Sequence, residues 1–170
     1  MKKIFFIIFF LAATGSLMAQ NYAYVDMEYI FSKIPAYKNA QKQLEQLSAQ
    51  YQKEMENKHS VIANMYSDYQ KQSSGLSSAV RKQEEDAIIS SEKEYKALQN
   101  KYFGPDGLLS QKRELLIKPI QESVNKSIQS VAVQKGYAVI FNKTDESVFV
   151  YTNPAYDVSN IVLGRLGINN

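Results

Sequence analysis

From residue 36 to residue 103 the chain runs 68 residues without a proline or a threonine and with one glycine, Gly75, near the middle. Proline stops helices because it lacks an N–H and crowds the preceding turn, so its absence over such a length leaves helix as the natural state. The β-branched residues there are Val61, Ile62, Val80, Ile88 and Ile89, while Gln, Lys, Glu, Ala, Leu and Ser dominate, a composition that favours helix. Gly75 sits in Gln72-Ser73-Ser74-Gly75-Leu76-Ser77-Ser78, where serines compete for backbone hydrogen bonds and glycine tolerates positive φ. The segment reads as two antiparallel helices joined by a turn at 72–78, with Ser77 as N-cap of the returning helix.

The apolar residues of each arm are spaced to meet a partner. On the first, Ala40, Leu44, Leu47, Tyr51, Met55, Ile62, Met65 and Tyr69 advance by three and four residues, with one gap at Lys58 and His59. On the second, Ile88, Tyr95, Tyr102, Leu109 and Leu116 recur every seven residues with Leu98 between them, the seam of a coiled coil. An arm of roughly 35 residues reaches about 50 Å. A compact globule of this size cannot bury such a hairpin, so it is expected to project or to pair with another subunit.

Phe103-Gly104-Pro105-Asp106-Gly107 breaks the seam. Helix is expected to resume with Leu108, Leu109, Leu115, Leu116, Ile120, Val124, Ile128 and Val131 on one face, to kink at Pro119 and to end at Gly136. Residues 21–26 read as a short strand. Residues 137–142 and 147–151 read as two strands of a β-hairpin around Lys143-Thr144-Asp145-Glu146. Asp157 is placed to cap a last helix ending at Leu166. So few strands with open edges do not make an independent sheet, and oligomerisation is expected to close them.

Residues 1–19 read as an address. Lys2 and Lys3 precede the apolar run from Ile4 to Ala13, and Ala19 supplies a small residue for cleavage. The run is shorter than the ~20 apolar residues of a spanning helix, although an uncleaved N-terminal anchor, making the protein a membrane-tethered coiled-coil stalk or scaffold, is the alternative. The chain has no cysteine, which excludes a lipoprotein anchor, a disulfide framework and thiol chemistry, and suits an oxidising exported compartment. Removing two lysines leaves the mature chain almost neutral, and no more than two basic residues are adjacent anywhere, so no nucleic-acid footprint is expected. A single histidine, His59, makes a poor start for a metal site or a triad. No enzyme activity and no cofactor are expected.

Ala23-Tyr24-Val25-Asp26-Met27, Ile34-Pro35-Ala36-Tyr37, Pro119-Ile120-Gln121, Gly136-Tyr137-Ala138-Val139-Ile140-Phe141 and Tyr156-Asp157-Val158-Ser159-Asn160-Ile161-Val162, in this order around a helical hairpin, resemble the Skp/OmpH family of periplasmic chaperones over essentially the whole mature chain. The resemblance implies an α+β fold in which a long hairpin (residues 35–104, a coiled-coil tentacle) projects from a small β-barrel body (residues 20–34 and 105–170) completed by trimerisation. It also implies a periplasmic holdase for unfolded outer-membrane proteins that uses no ATP, agreeing with the lack of a Gly-x-x-x-x-Gly-Lys loop, and that passes clients to the outer-membrane assembly machinery.

A client barrel strand exposes alternating apolar residues, so its holder needs adaptable apolar contacts. Tyr51, Met55, Ile62, Met65, Tyr66, Tyr69, Leu76 and Val80 are the candidate client-binding residues, because thioethers adapt to irregular partners and tyrosines combine area with a polar tip. The same residues can instead pack the two arms together, leaving clients the remainder of the stripe. Family tentacles are strongly basic, whereas here Lys53 through Lys101 carries eight basic and eight acidic residues. Long-range charge steering is therefore expected to be weak, no lipopolysaccharide site carries over, and membrane contact at the tip is left open.

Overall fold

The computed structural model describes residues 21–144 and 149–168. In chain order these form β1 (Asn21–Val25), α1 (Met27–Lys33), α2 (Pro35–Gln72), a 3₁₀ turn (Ser73–Gly75), α3 (Ser78–Phe103), α4 (Leu108–Lys135), β2 (Tyr137–Asn142), a second 3₁₀ turn (Pro154–Tyr156) and α5 (Ser159–Arg165). The chain divides into two compact units, one running up to Ile30 and resuming at Asn125, the other spanning Phe31–Val124. The expected leader, residues 1–19, lies outside the described residues.

In the first unit β1 pairs with β2 in parallel, with Tyr22 opposite Val139, Ala23 opposite Ile140, Tyr24 opposite Phe141 and Val25 opposite Asn142. The β-hairpin expected between 137–142 and 147–151 does not form in its described part: Phe149–Tyr151 is irregular, and residues 145–148 lie outside the described residues. Alternating apolar residues specify which face of a strand is buried, but not which strand pairs with it. β1 makes a further parallel bridge from Tyr24 to Asp157, and the Tyr24 carbonyl accepts the Val158 N–H at 3.0 Å.

The core of this unit is small. Ala23, Tyr24, Val25, Ile30, Val131, Val158, Val162 and Leu163 are buried, Ile30, Val131 and Val162 completely. Two carboxylates organise its chain reversals, although Asp157 does so from one residue outside the N-cap position expected of it. Asp26 precedes α1 and its Oδ1 accepts the Tyr29 N–H at 2.8 Å, satisfying one of the amides that a helix start leaves open. Asp157 lies one residue ahead of the N-cap of α5, and its Oδ1 accepts the Ser159 N–H at 2.8 Å. Ser159, 2% exposed, returns the link: its hydroxyl accepts the Asp26 N–H at 2.8 Å. Arg165 of α5 donates to Ser130 and Gln134 of α4. Gly136 takes φ +70° immediately after α4, the left-handed helix end for which glycine is suited.

In the second unit α2 has 38 residues, about 57 Å at the usual rise, and α3 returns along it. The turn differs from expectation in its mechanism. Gly75 closes a 3₁₀ turn without a positive φ, and a side chain there would meet open space. The reversal comes from the 3₁₀ turn followed by extended Leu76, after which the Ser77 hydroxyl accepts the Val80 N–H at 3.3 Å as the expected N-cap. The break between α3 and α4 does require glycine. A Cβ at Gly104 would lie 2.4 Å from the Asn100 carbonyl oxygen, and one at Gly107 2.8 Å from that of Tyr102. α4 continues through Pro119.

Candidate functional site

The hairpin of α2 and α3 holds all eight candidate residues, either on its arms or at its turn, and a series of cross-arm pairs sets their surroundings. Nearest the break, the rings of Tyr51 and Tyr102 stack with centroids 4.0 Å apart and planes within 2°, and the Tyr102 hydroxyl donates to Glu54 Oε2 at 2.8 Å. Further along, Lys58 meets Glu94 at 3.2 Å, His59 faces Tyr95 with ring centroids 6.0 Å apart, and the Ser91 hydroxyl lies 3.6 Å from the Met65 sulfur. Towards the turn, Tyr66 donates to Glu92 at 2.8 Å, Tyr69 donates to Glu85, and Arg81 donates to the Ser73 carbonyl at 3.0 Å. As residue numbers rise on α2 they fall on α3, so the arms are antiparallel as predicted.

Burial sorts the candidates. Met55 and Ile62 are buried with Ala40 on α2, and opposite them Ile88 and Tyr102 are buried on α3, the last two at heptad positions of the predicted seam. Between residues 63 and 87 none is buried. Met65, Tyr69 and Leu76 are half-buried there, whereas Tyr66 and Val80 are exposed. Val61 and Ile89, at 55% and 47%, are exposed as well and belong with this surface. Sequence reasoning placed neither in the stripe, although an apolar residue beside a buried one in a helix, as Val61 is beside Ile62 and Ile89 beside Ile88, turns to an adjacent face.

Two open grooves of about 360 Å³ each run along the hairpin. One is lined by Met55, His59, Tyr95 and Phe103 among others, the second by His59, Ile62, Tyr66 and Tyr95. His59 and Tyr95 line both. No cluster of three or more acidic or histidine side chains placed to hold a metal occurs among the described residues, and none of their helices is long and apolar enough to cross a membrane.

The tyrosine–carboxylate pairs perturb the phenols. Hydrogen bonding to Glu92, Glu85 and Glu54 holds Tyr66, Tyr69 and Tyr102 respectively above the ordinary phenol range, reinforced by desolvation and by the carboxylate charge. A pKa raised on folding stabilises the fold below the unfolded value, about 10 for tyrosine, and the contribution is lost as pH rises through the folded value. The small contribution of these pairs to the hairpin is therefore expected to fade above pH ~10, with the phenols ionising later than free tyrosine. Tyrosinate absorbance and circular dichroism followed together check this, and three phenols ionising at the unperturbed value would contradict it.

No curated protein sequence matches the chain. Among solved structures of similar fold is a protein of Caulobacter crescentus CB15 described as an OmpH-like outer membrane chaperone. It superposes with a TM-score of 0.66 at 12% identity, over 90% of this chain and 87% of the other. At that identity the likeness is one of fold. A family model described as outer membrane protein (OmpH-like) matches residues 21–166, from the first residue of β1 to the one following α5, so the chain belongs to the OmpH-like family, as its sequence motifs led one to expect.

Proposed function

We propose that this protein is a periplasmic, ATP-independent holdase that binds unfolded outer-membrane proteins and keeps them from aggregating on the way to the outer-membrane assembly machinery. Membership of the OmpH-like family supports the chaperone role, and the carrying observation is a helical hairpin whose half nearer the turn leaves its apolar side chains uncovered. Tyr66, Val80, Val61 and Ile89, with half-buried Met65, Tyr69 and Leu76, are the proposed client contacts. Met55 and Ile62 support that surface from the seam, and Tyr51 from its stack on Tyr102. Equal basic and acidic counts from Lys53 through Lys101 favour short-range apolar capture over steering. Residues 1–19 act in this reading as a cleaved export signal.

The reading includes a trimer in which strands from three chains close a β-barrel body and three hairpins surround a cavity. Two observations support oligomerisation. β2, with the sequence YAVIFN, leaves Val139 and Phe141 each 41% exposed, and an open groove of about 380 Å³ is lined by Tyr22, Phe141, Phe149, Tyr151 and Tyr156 among others. A two-stranded sheet with such an edge is marginal alone. Light scattering of the purified protein is expected to give three times the chain mass, and a monodisperse monomer would refute the trimer.

The activity is tested by diluting a urea-unfolded outer-membrane β-barrel protein into buffer containing the protein without nucleotide. Aggregation is expected to be suppressed. Replacing Val61, Tyr66, Val80 and Ile89 by Ser is expected to abolish most of that protection, whereas replacing Lys71, Arg81 and Lys82 by Gln leaves most of it. Unimpeded aggregation with the native protein sinks the holdase reading, and the reverse order of the two variants shows that charge drives capture.

A further inference from the structure

We propose that Tyr51 and Tyr102 form an oxidative coupling site, at which a one-electron oxidant joins the two arms of the hairpin through a dityrosine bond. The chain contains no tryptophan and no cysteine but twelve tyrosines, so it lacks the two side chains that compete most effectively with tyrosine for one-electron oxidation. Radical chemistry then falls on the phenols, and coupling needs two of them in contact. Tyr51 and Tyr102 stack face to face at 4.0 Å with their planes nearly parallel, closer than the usual aromatic pair. Phe103 stands edge-on to both at 6.2 and 6.4 Å, and the Lys101 ammonium lies 5.6 Å from the Tyr102 ring centre. The pair is thus flanked by neighbours on α3.

The second requirement is a proton acceptor, because an oxidised phenol is a strong acid. Glu54 accepts the Tyr102 hydroxyl hydrogen bond at 2.8 Å. That contact keeps the phenol protonated in the resting state and gives its proton a place to go once an electron leaves. Tyr102 is 7% exposed, Tyr51 more open, so the proton of Tyr51 passes to water. Each ring loses one electron and one proton. The two phenoxyl radicals join through the carbons ortho to oxygen, and the hydrogens on those carbons return to the phenolic oxygens as the rings regain aromaticity. Two electrons and two protons leave in all, and hydrogen peroxide acting as terminal acceptor takes both pairs to become two waters. The bond ties α2 to α3 near the break, a covalent link in a chain that has no disulfide.

The test is brief illumination of the purified protein with tris-bipyridine ruthenium and persulfate, then proteolysis and mass spectrometry. The expected result is a dominant intramolecular crosslink between the peptides carrying Tyr51 and Tyr102, with dityrosine fluorescence falling several-fold in Tyr51→Phe and unchanged in Tyr66→Phe. Glu54→Gln is expected to slow coupling without changing which residues are joined. Crosslinks spread over exposed tyrosines such as Tyr151 and Tyr156, with the 51–102 product no more abundant than the others, would overturn the proposal. So would undiminished fluorescence in a folded Tyr51→Phe. Should that variant lose its helical circular dichroism, the peptide map of the unsubstituted protein decides alone.

Discussion

Replacing Ile30 by Ala is expected to cost about 2–5 kcal/mol of stability, the range for emptying a fully buried aliphatic site. Ile30 is 0% exposed and belongs to a unit whose core consists of a few residues from β1, α1, α4 and α5. In so small a core little neighbouring side-chain volume exists to collapse into the cavity, which places the cost toward the upper part of the range. Against a typical total of 5–15 kcal/mol, the loss is large enough to populate unfolded protein. Leu115→Ala serves as the control: that side chain is 67% exposed, and its truncation is expected to stay within about 0.5 kcal/mol. Denaturant unfolding at one fixed protein concentration measures both, since subunit association shifts apparent stability by mass action. Equal effects at the two positions would show that burial within this unit does not carry its stability.

Amide hydrogen exchange across the hairpin is expected to divide sharply at Ile62 and Ile88. Toward the break the arms are held by buried Met55, Ile62, Ile88 and Tyr102. Between 63 and 87 the cross-arm links are hydroxyl–carboxylate bonds and other exposed polar contacts, with no buried side chain. Exposed polar pairs contribute little, because water and salt compete for both partners, so opening toward the turn takes less free energy than opening the seam. With tenfold in rate for each 1.4 kcal/mol, residues 63–87 are expected to exchange at least ~10-fold faster than residues 50–62 and 88–102. Tyr66→Phe and Tyr69→Phe, which delete the hydroxyls bonded to Glu92 and Glu85, are expected to widen the gap. Uniform protection from end to end would mean that the apolar residues near the turn are permanently packed, leaving the proposed client surface inaccessible.

Much of the hairpin was legible because its determinants are local. The run without proline, the heptad spacing of Ile88, Tyr95 and Tyr102, the cap at Ser77, the break at Gly104–Gly107 and the helix end at Gly136 are read from a residue and its neighbours within a few positions. The mechanism of the turn was not legible: glycine permits a positive φ without requiring one, and here the 3₁₀ turn and extended Leu76 reverse the chain while Gly75 keeps a negative φ. The division of the stripe was equally hidden. Met55 and Met65 have the same chemistry and lie on the same helix, yet one is buried and the other half-buried, because the opposing arm offers a packed seam to the first and a serine hydroxyl to the second.

The sequence by itself determined where the helices of the hairpin begin and end, that they pair in opposite directions, that Asp157 stands at the start of the last helix, and which family the chain resembles. These follow from backbone propensity, capping and periodicity, interactions whose range is one or two helical turns. Only the tertiary structure decided that β1 pairs in parallel with β2, that the Ser159 hydroxyl closes on the Asp26 amide across 133 residues, and which apolar side chains are left uncovered. Each of those depends on what stands opposite in space. A residue's own type states how strongly it prefers burial, whereas the shape and polarity of its distant neighbour decide whether burial is available.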